Sequence, residues 1–193
     1  MKIEEIIKQK YLYSKKWNLF KIIYFFFQGI KGKKKYRKSY STSSQDLVVE
    51  YFFKNKSIGV YLDIGCYHPF IGNNTFKLFQ KGWEGINIDI DFHTIDLFNN
   101  FRKKDCNIQM GVSESQGVQD LYFFHNRSVL NTLDSNRGRE FKEIRKIKTD
   151  TLNNIIQSTK FRNCKIDFLS IDVEGYEMKV LKGFDFKKYS PDL

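Results

Sequence analysis

Proline is almost missing from this chain: two in 193 residues, Pro69 and Pro191. Cysteine is scarce too. Cys66, Cys106 and Cys164 are odd in number and have no metal-type spacing, which argues against a disulfide framework and a structural metal site and points to a reduced, cytoplasmic protein. No apolar run approaches the roughly 20 residues that span a bilayer; the run from Ile22 to Phe27 is far shorter. A secretory signal is a poor match, because Glu4 and Glu5 sit in the n-region, the cations follow the apolar stretch, and no small-residue cleavage site appears. No repeat of solenoid length is found. Aromatics, by contrast, make up 17% of the chain, with 19 Phe and 11 Tyr, so disorder is excluded by composition.

Acidic residues are nearly absent from the first forty positions, which hold 12 Lys+Arg against 2 Asp+Glu. The rest of the chain holds 21 and 20, so a net charge of +11 resolves into +10 on a leading segment and +1 on the body. A near-neutral body argues against a wide grip on nucleic acid. Residues 1–16 read as an amphipathic helix, followed by an aromatic stretch and then by Lys31 to Lys38, with six cations in eight positions. Three readings stand for residues 1–40: peripheral attachment to an anionic inner membrane face, a helix packed on the body with a solvated basic linker, or a nucleic-acid tail.

The remainder alternates strands with helices. Strands are expected at about 59–64, 85–89, 106–112, 119–124 and 165–172, with a short one at 147–149. Helices are expected from a polar cap at 41–45 to about 55, and at 73–81, 92–103, 151–158 and 174–184; the stretch 125–144 is polar and irregular. This order predicts an α/β fold with a doubly wound parallel sheet. Right-handed crossovers bring the ends of three strands, and with them Asp63, Asp89 and Asp172, to one edge.

The most informative stretch is Val60-Tyr-Leu-Asp-Ile-Gly-Cys-Tyr-His-Pro69, an apolar run that breaks at a glycine into a polar loop. Asp89, 24 residues after Gly65, ends a second apolar run and is placed to accept ribose hydroxyls. Tyr67 stands where a dinucleotide fingerprint needs its second, small residue, so a pyrophosphate is crowded out. A nucleoside cofactor without phosphate, such as S-adenosylmethionine, suits the loop. The competing reading of Asp89 is an N-cap for the helix from Phe92, and Asp172 and Glu174 compete with the same role for the last helix.

These residues resemble the FkbM-type S-adenosylmethionine-dependent methyltransferases over about 44–193. Ser44-Gln-Asp46, Tyr61 to Pro69, Asn73-Asn-Thr75, Gly82-Trp-Glu-Gly-Ile-Asn-Ile-Asp89, Asn131-Thr-Leu-Asp134 and Ile171-Asp-Val-Glu-Gly-Tyr-Glu177 match its motifs in order. The resemblance implies a Rossmann-like domain over 41–193 behind a basic segment, and S-adenosyl-L-methionine as cofactor. It implies Asp63, Gly65 and Asp89 as cofactor contacts and Asp172 and Glu174 as candidate proton acceptors on the substrate side. From their places in and after the same loop, Cys66 and Asn74 are further candidate cofactor contacts, and His68, whose imidazole suits taking a hydroxyl proton, is a further candidate base. No metal is expected. The acceptor it implies is a sugar or other hydroxyl-bearing metabolite, in glycan biosynthesis, with a lipid-linked precursor if residues 1–40 touch membrane. Family members continue past this chain's last residues, so the domain is expected to be shortened at its C-terminus, with the 165–172 strand an exposed edge open to a partner or a second copy. An inactive, truncated adaptor and a nucleic-acid methyltransferase are the alternatives.

Overall fold

The computed structural model describes residues 18–36, 39–137 and 141–193; the helix expected over 1–16 lies outside them. A long helix, α1 (Asn18–Tyr36), leads into α2 (Gln45–Phe52). Then follow β1 (Val60–Ile64), α3 (Phe76–Gln80), β2 (Glu84–Asp89), α4 (Phe92–Phe101) and β3 (Cys106–Gln109). A second group comprises β4 (Gly111–Val112), β5 (Gly117–Phe123), β6 (Glu143–Asp150) and α5 (Leu152–Gln157). The described chain closes with β7 (Phe168–Ile171), α6 (Glu177–Lys182) and α7 (Phe186–Tyr189).

The central sheet is wholly parallel, in the order β3-β2-β1-β7. Alternation along β1 sends Leu62 and Ile64 to one face, where they join Ile86, Ile88, Ile155, Ile156 and Val180. Tyr61 points to the other, with Val49, Phe53, Leu78, Trp83 and Phe168. Both faces are therefore covered, as a parallel sheet requires. This is the doubly wound, Rossmann-like α/β architecture anticipated from the alternation of elements.

Three local differences have physical causes. The strand expected over 106–112 is two strands: Met110 N–H still donates to the Asp89 carbonyl at 3.0 Å, but β2 has ended, and Gly111 and Val112 pair with β6 in a separate sheet of order β4-β6-β5. The strand expected at 147–149 runs over all of Glu143–Asp150. Its first six residues carry a charge-rich, exposed pattern, and antiparallel pairing with β5 orders them, with Lys146 bridging to Asp120 across the ladder at 2.5 Å. The last long helix begins only at Glu177, because Glu174 (φ 54°) and Gly175 (φ 98°) take left-handed conformations.

At the outer side of β7, Leu169 N–H donates to the Leu193 carbonyl at 2.9 Å and Leu193 N–H donates to the Asp167 carbonyl at 3.2 Å. That is a parallel pairing, so Leu193 lies alongside the expected open edge.

Candidate functional site

A cavity opens at the carboxyl ends of β1, β2 and β7. Its walls are Gly65 and Tyr67 after β1, Asp89 and Ile90 after β2, Met110 and Val112 beyond β3, and Asp172, Glu174 and Tyr176 after β7. The irregular stretch expected over 125–144 supplies a cover through Arg127, Ser128, Asn131 and Thr132.

Gly65 is required twice over. Its φ is +76°, and a Cβ there would lie 1.8 Å from the Asp172 carbonyl oxygen. The β1 and β7 loops thus touch through bare backbone, which sets the depth of the cavity.

The loop after β1 spends its own donors. Gly65 and Cys66 N–H groups both donate to the Ile88 carbonyl, at 2.9 and 3.3 Å, and His68 N–H to the Cys66 carbonyl at 2.6 Å. Tyr67 N–H donates to Asp89 Oδ2 at 3.0 Å, while Phe70 and Ile71 N–H groups donate to His68 Nδ1 at 3.0 and 3.2 Å. No helix starts at the glycine either; α3 begins at Phe76. Both devices that hold a diphosphate, free amides and a helix N-terminus, are missing from this loop.

Asp89 lines the cavity. Its Oδ1 accepts from Asp91 N–H at 2.9 Å. The competing N-cap role falls to Asp91, whose Oδ1 accepts from His93 and Thr94 N–H at 2.7 and 3.3 Å. Asp91 Oδ2 takes Arg127 N–H at 2.6 Å and so pins the cover to α4. Burial, followed by the amide bonds that oppose it and by repulsion from Asp91, leaves the Asp89 carboxyl raised to about 7.

Asp172 and Glu174 are not caps either: Tyr176 occupies the N-cap of α6 without a side-chain bond, and Glu177 Oε1 takes the Val173 and Gly175 N–H groups, each at 3.2 Å. Glu174 pairs with Arg137 at 2.7 Å. The carboxyls of Asp172 and Glu174 are both raised, first by burial and then by acidic neighbours: Glu177 for Asp172, and Asp172 for Glu174. Thr132 Oγ1 donates to the Glu174 carbonyl at 3.0 Å, and Asn131 Oδ1 and Nδ2 bond Phe124 N–H and the His125 carbonyl at 2.9 and 3.0 Å. The Asn-Thr pair thus folds the cover onto the β7 loop.

Four expected residues lie behind the cavity wall. Asp63 is buried, and its Oδ2 accepts from Asn73 Nδ2 at 3.1 Å and Thr75 Oγ1 at 3.0 Å. Cys66 is buried against Ile95 and Phe98, and burial drives its thiol well above the usual range. Asn74 is turned to Ser170 Oγ, 3.1 Å away. His68 does not reach the cavity: its Nδ1 is an acceptor for two amides, its ring lies among Phe25 and Phe70, and burial lowers its pKa well below the usual value, so it stays neutral. Gly65, Asp89, Asp172 and Glu174 are the ones the fold brings together.

Sequence reasoning missed Arg127, Met110, Val112 and Tyr176 on the wall, and Arg102 behind it. Arg102 is wholly buried, and its guanidinium donates to Thr75 Oγ1 at 2.7 Å, Asn73 Oδ1 at 2.7 Å and the Pro69 carbonyl at 2.6 Å. It locks the 69–75 segment onto α4. A lone arginine after a helix carries no signal of this in sequence. Among the described residues, no three His, Cys, Asp or Glu side chains cluster as a metal site.

A doubly wound parallel sheet with a cavity at its strand ends, and a carboxylate at the tip of its second strand, defines a Rossmann-like α/β protein with its cavity where such sheets bind their ligands. Residues 63–193, about two thirds of the chain, match the methyltransferase FkbM domain, and the chain belongs to that family of methyltransferases. No curated protein and no solved structure matches it.

Proposed function

We propose that the protein is an S-adenosylmethionine-dependent O-methyltransferase acting on a sugar or another hydroxyl-bearing metabolite. The observation that carries the cofactor reading is the β1 loop. Its amides are consumed internally, while Asp89 presents a carboxylate to the cavity from the next strand. A nucleoside with a ribose diol suits that arrangement, and a dinucleotide does not.

The acidic rim supports the same choice. Asp172 and Glu174 keep raised pKa values partly by repelling acidic neighbours, and a cationic sulfonium would relieve that repulsion. Asp89 would hold the ribose hydroxyls, and Ile88, Ile90, Met110 and Val112 offer an apolar wall for the base. When bound, the cofactor supplies an electrophilic methyl carbon on sulfur.

The chain's own work is alignment and proton transfer. Glu174 is engaged by Arg137, so Asp172, which has no such partner at hydrogen-bond distance in the described structure, is assigned as the group that takes the acceptor's hydroxyl proton. With S-adenosylmethionine bound, that oxygen would receive the methyl group, and the sulfur would leave as the neutral thioether. Arg137 opposes the rise in the pKa of the Glu174 carboxyl and orients that group beside Asp172.

Thermal unfolding of the purified chain tests this reading. S-adenosylmethionine or S-adenosylhomocysteine at about a hundred times Kd should stabilise by about 2.7 kcal/mol, or roughly 5–10 °C in Tm for a domain of this size. A shift with NAD but not with either adenosyl ligand, or no shift in a folded sample, overturns it.

A further inference from the structure

Two of the three readings of the leading segment prove compatible, because α1 uses opposite faces. Its inner face packs on the body. Lys21 is 3% exposed and pairs with Asp96 at 3.1 Å; Phe25 is 5% exposed and packs with Leu97, with Tyr24 and Phe101 beside them. Positions 21, 24, 25 and 28 fall on one side of a helix with about 3.6 residues per turn. On the opposite side lie Leu19 (72% exposed), Ile23 (45%), Phe26 (53%) and Phe27 (57%). Four large apolar side chains in one outward stripe, on a helix already anchored by its other face, are unexplained by the packing of the monomer.

The adjoining sequence states what would cover them. Lys31 to Lys38 holds six cations in eight positions, and no acidic residue occurs from Asn18 to Tyr40. An apolar stripe continued by a polybasic run matches the boundary of an anionic bilayer, where hydrocarbon and negative headgroups lie within one helix diameter of each other. Nucleic acid would use the cations and could stack a base on an aromatic ring, but it has no hydrocarbon to cover a continuous stripe that includes Leu19 and Ile23. No described helix is long and apolar enough to cross a membrane, and a stripe along one side of a helix suits contact along a surface.

We propose that α1 is an interfacial helix that docks the protein on an anionic lipid surface through Leu19, Ile23, Phe26 and Phe27, with the following lysines at the headgroups. The docked helix stands next to the cavity. Phe25, on its inner face, lies under the Arg127 guanidinium at 4.6 Å, and Arg127 also covers the Tyr67 ring at 5.6 Å. Tyr67 and Arg127 are both wall residues of the cavity. Attachment through α1 therefore brings the cavity wall formed by Tyr67 and Arg127 near the lipid, whatever cofactor the cavity takes.

Vesicle co-sedimentation of the full chain tests this without reference to catalysis. Vesicles of phosphatidylcholine with about a third phosphatidylglycerol should bind the protein, and pure phosphatidylcholine should bind it far less. The double variant Phe26→Ser/Phe27→Ser should lose at least tenfold in partitioning while keeping its melting temperature. Replacing Lys33, Lys34 and Lys35 by Gln should cost about a hundredfold on the anionic vesicles, at roughly fivefold per cation, and high salt should weaken the wild type in the same direction. Three results overturn the proposal: equal affinity for both vesicle types, binding unaffected by the Phe26/Phe27 change (a polyanion-binding tail), or no vesicle binding together with a dimer that the same change dissociates (a second copy).

Discussion

Asp89 carries the sharpest residue-scale prediction. Its carboxyl keeps a proton to about pH 7 in the folded chain, against an ordinary value of 3.8. The unfolded chain therefore ionises first, and the fold loses stability from this group as pH rises from about 4 to about 7, with no further change above. A ligand whose ribose hydroxyls donate to Asp89 binds the ionised form. Its affinity should fall about tenfold for each pH unit below 7 and stay level above it. Calorimetric Kd values for S-adenosylhomocysteine between about pH 5.5 and 8.5 read this slope, and Asp89→Asn should weaken binding and flatten the slope. A wild-type Kd independent of pH would remove Asp89 from the ligand. At this scale the sequence was legible where a residue type and a strand end coincide, as with Gly65 and Asp89. It misled where chemistry depends on which way a side chain turns: His68 and Cys66 lie in the loop but point inward.

Elements meet at Arg102. It follows α4, and its fork ties three acceptors on the 69–75 segment, which in turn holds Asp63 beneath the cavity floor. Four aromatic rings, those of Tyr61, Phe76, Phe79 and Phe98, lie within 6.0 Å of the guanidinium. Arg102→Met should cost about 3–5 kcal/mol, because it strands buried partners, and Arg102→Lys should not rescue it, since one ammonium cannot reproduce the planar fork. Urea unfolding measures both; a loss under 1 kcal/mol in Arg102→Met would show that the network adds little. The Ser-Gln-Asp motif tells a similar story between elements. A cap at Ser41–Gln45 was expected, but Ser44 makes no side-chain cap, and Asp46 instead gathers Ser39 Oγ, Tyr40 N–H and Ser41 Oγ at 2.6, 2.7 and 2.9 Å. Tyr40 then receives Asn73 N–H on its carbonyl at 3.0 Å, which joins this turn to the site segment. The motif was visible as residues, whereas its partner 27 positions beyond Asp46 was not.

At the scale of the whole molecule, α1 is the unit expected to open on its own. Among its described residues the inward contacts are Lys21 with Asp96, Phe25 with Leu97, His68 and Arg127, Tyr24 and Phe101 beside them, and Gly29 against Phe70. Phe25→Ala removes the central one. Hydrogen exchange in α1 should speed up by tenfold or more, while amides of β1 and β2 keep their protection, since local opening is set by local contacts. Uniform loss of protection would make α1 integral to the core. The order of strands and helices, the parallel class of the sheet, and the glycine and carboxylate at two strand ends were determined by the sequence itself. Periodicity and turn chemistry are local properties, readable within a dozen residues. The tertiary structure alone decided that Gly65 abuts the Asp172 carbonyl, that the 125–137 stretch covers the cavity, that β6 extends through a charged run, and that α1 packs one face while exposing the other. Each of these rests on contacts between segments far apart in the chain, whose burial and pairing no local pattern encodes.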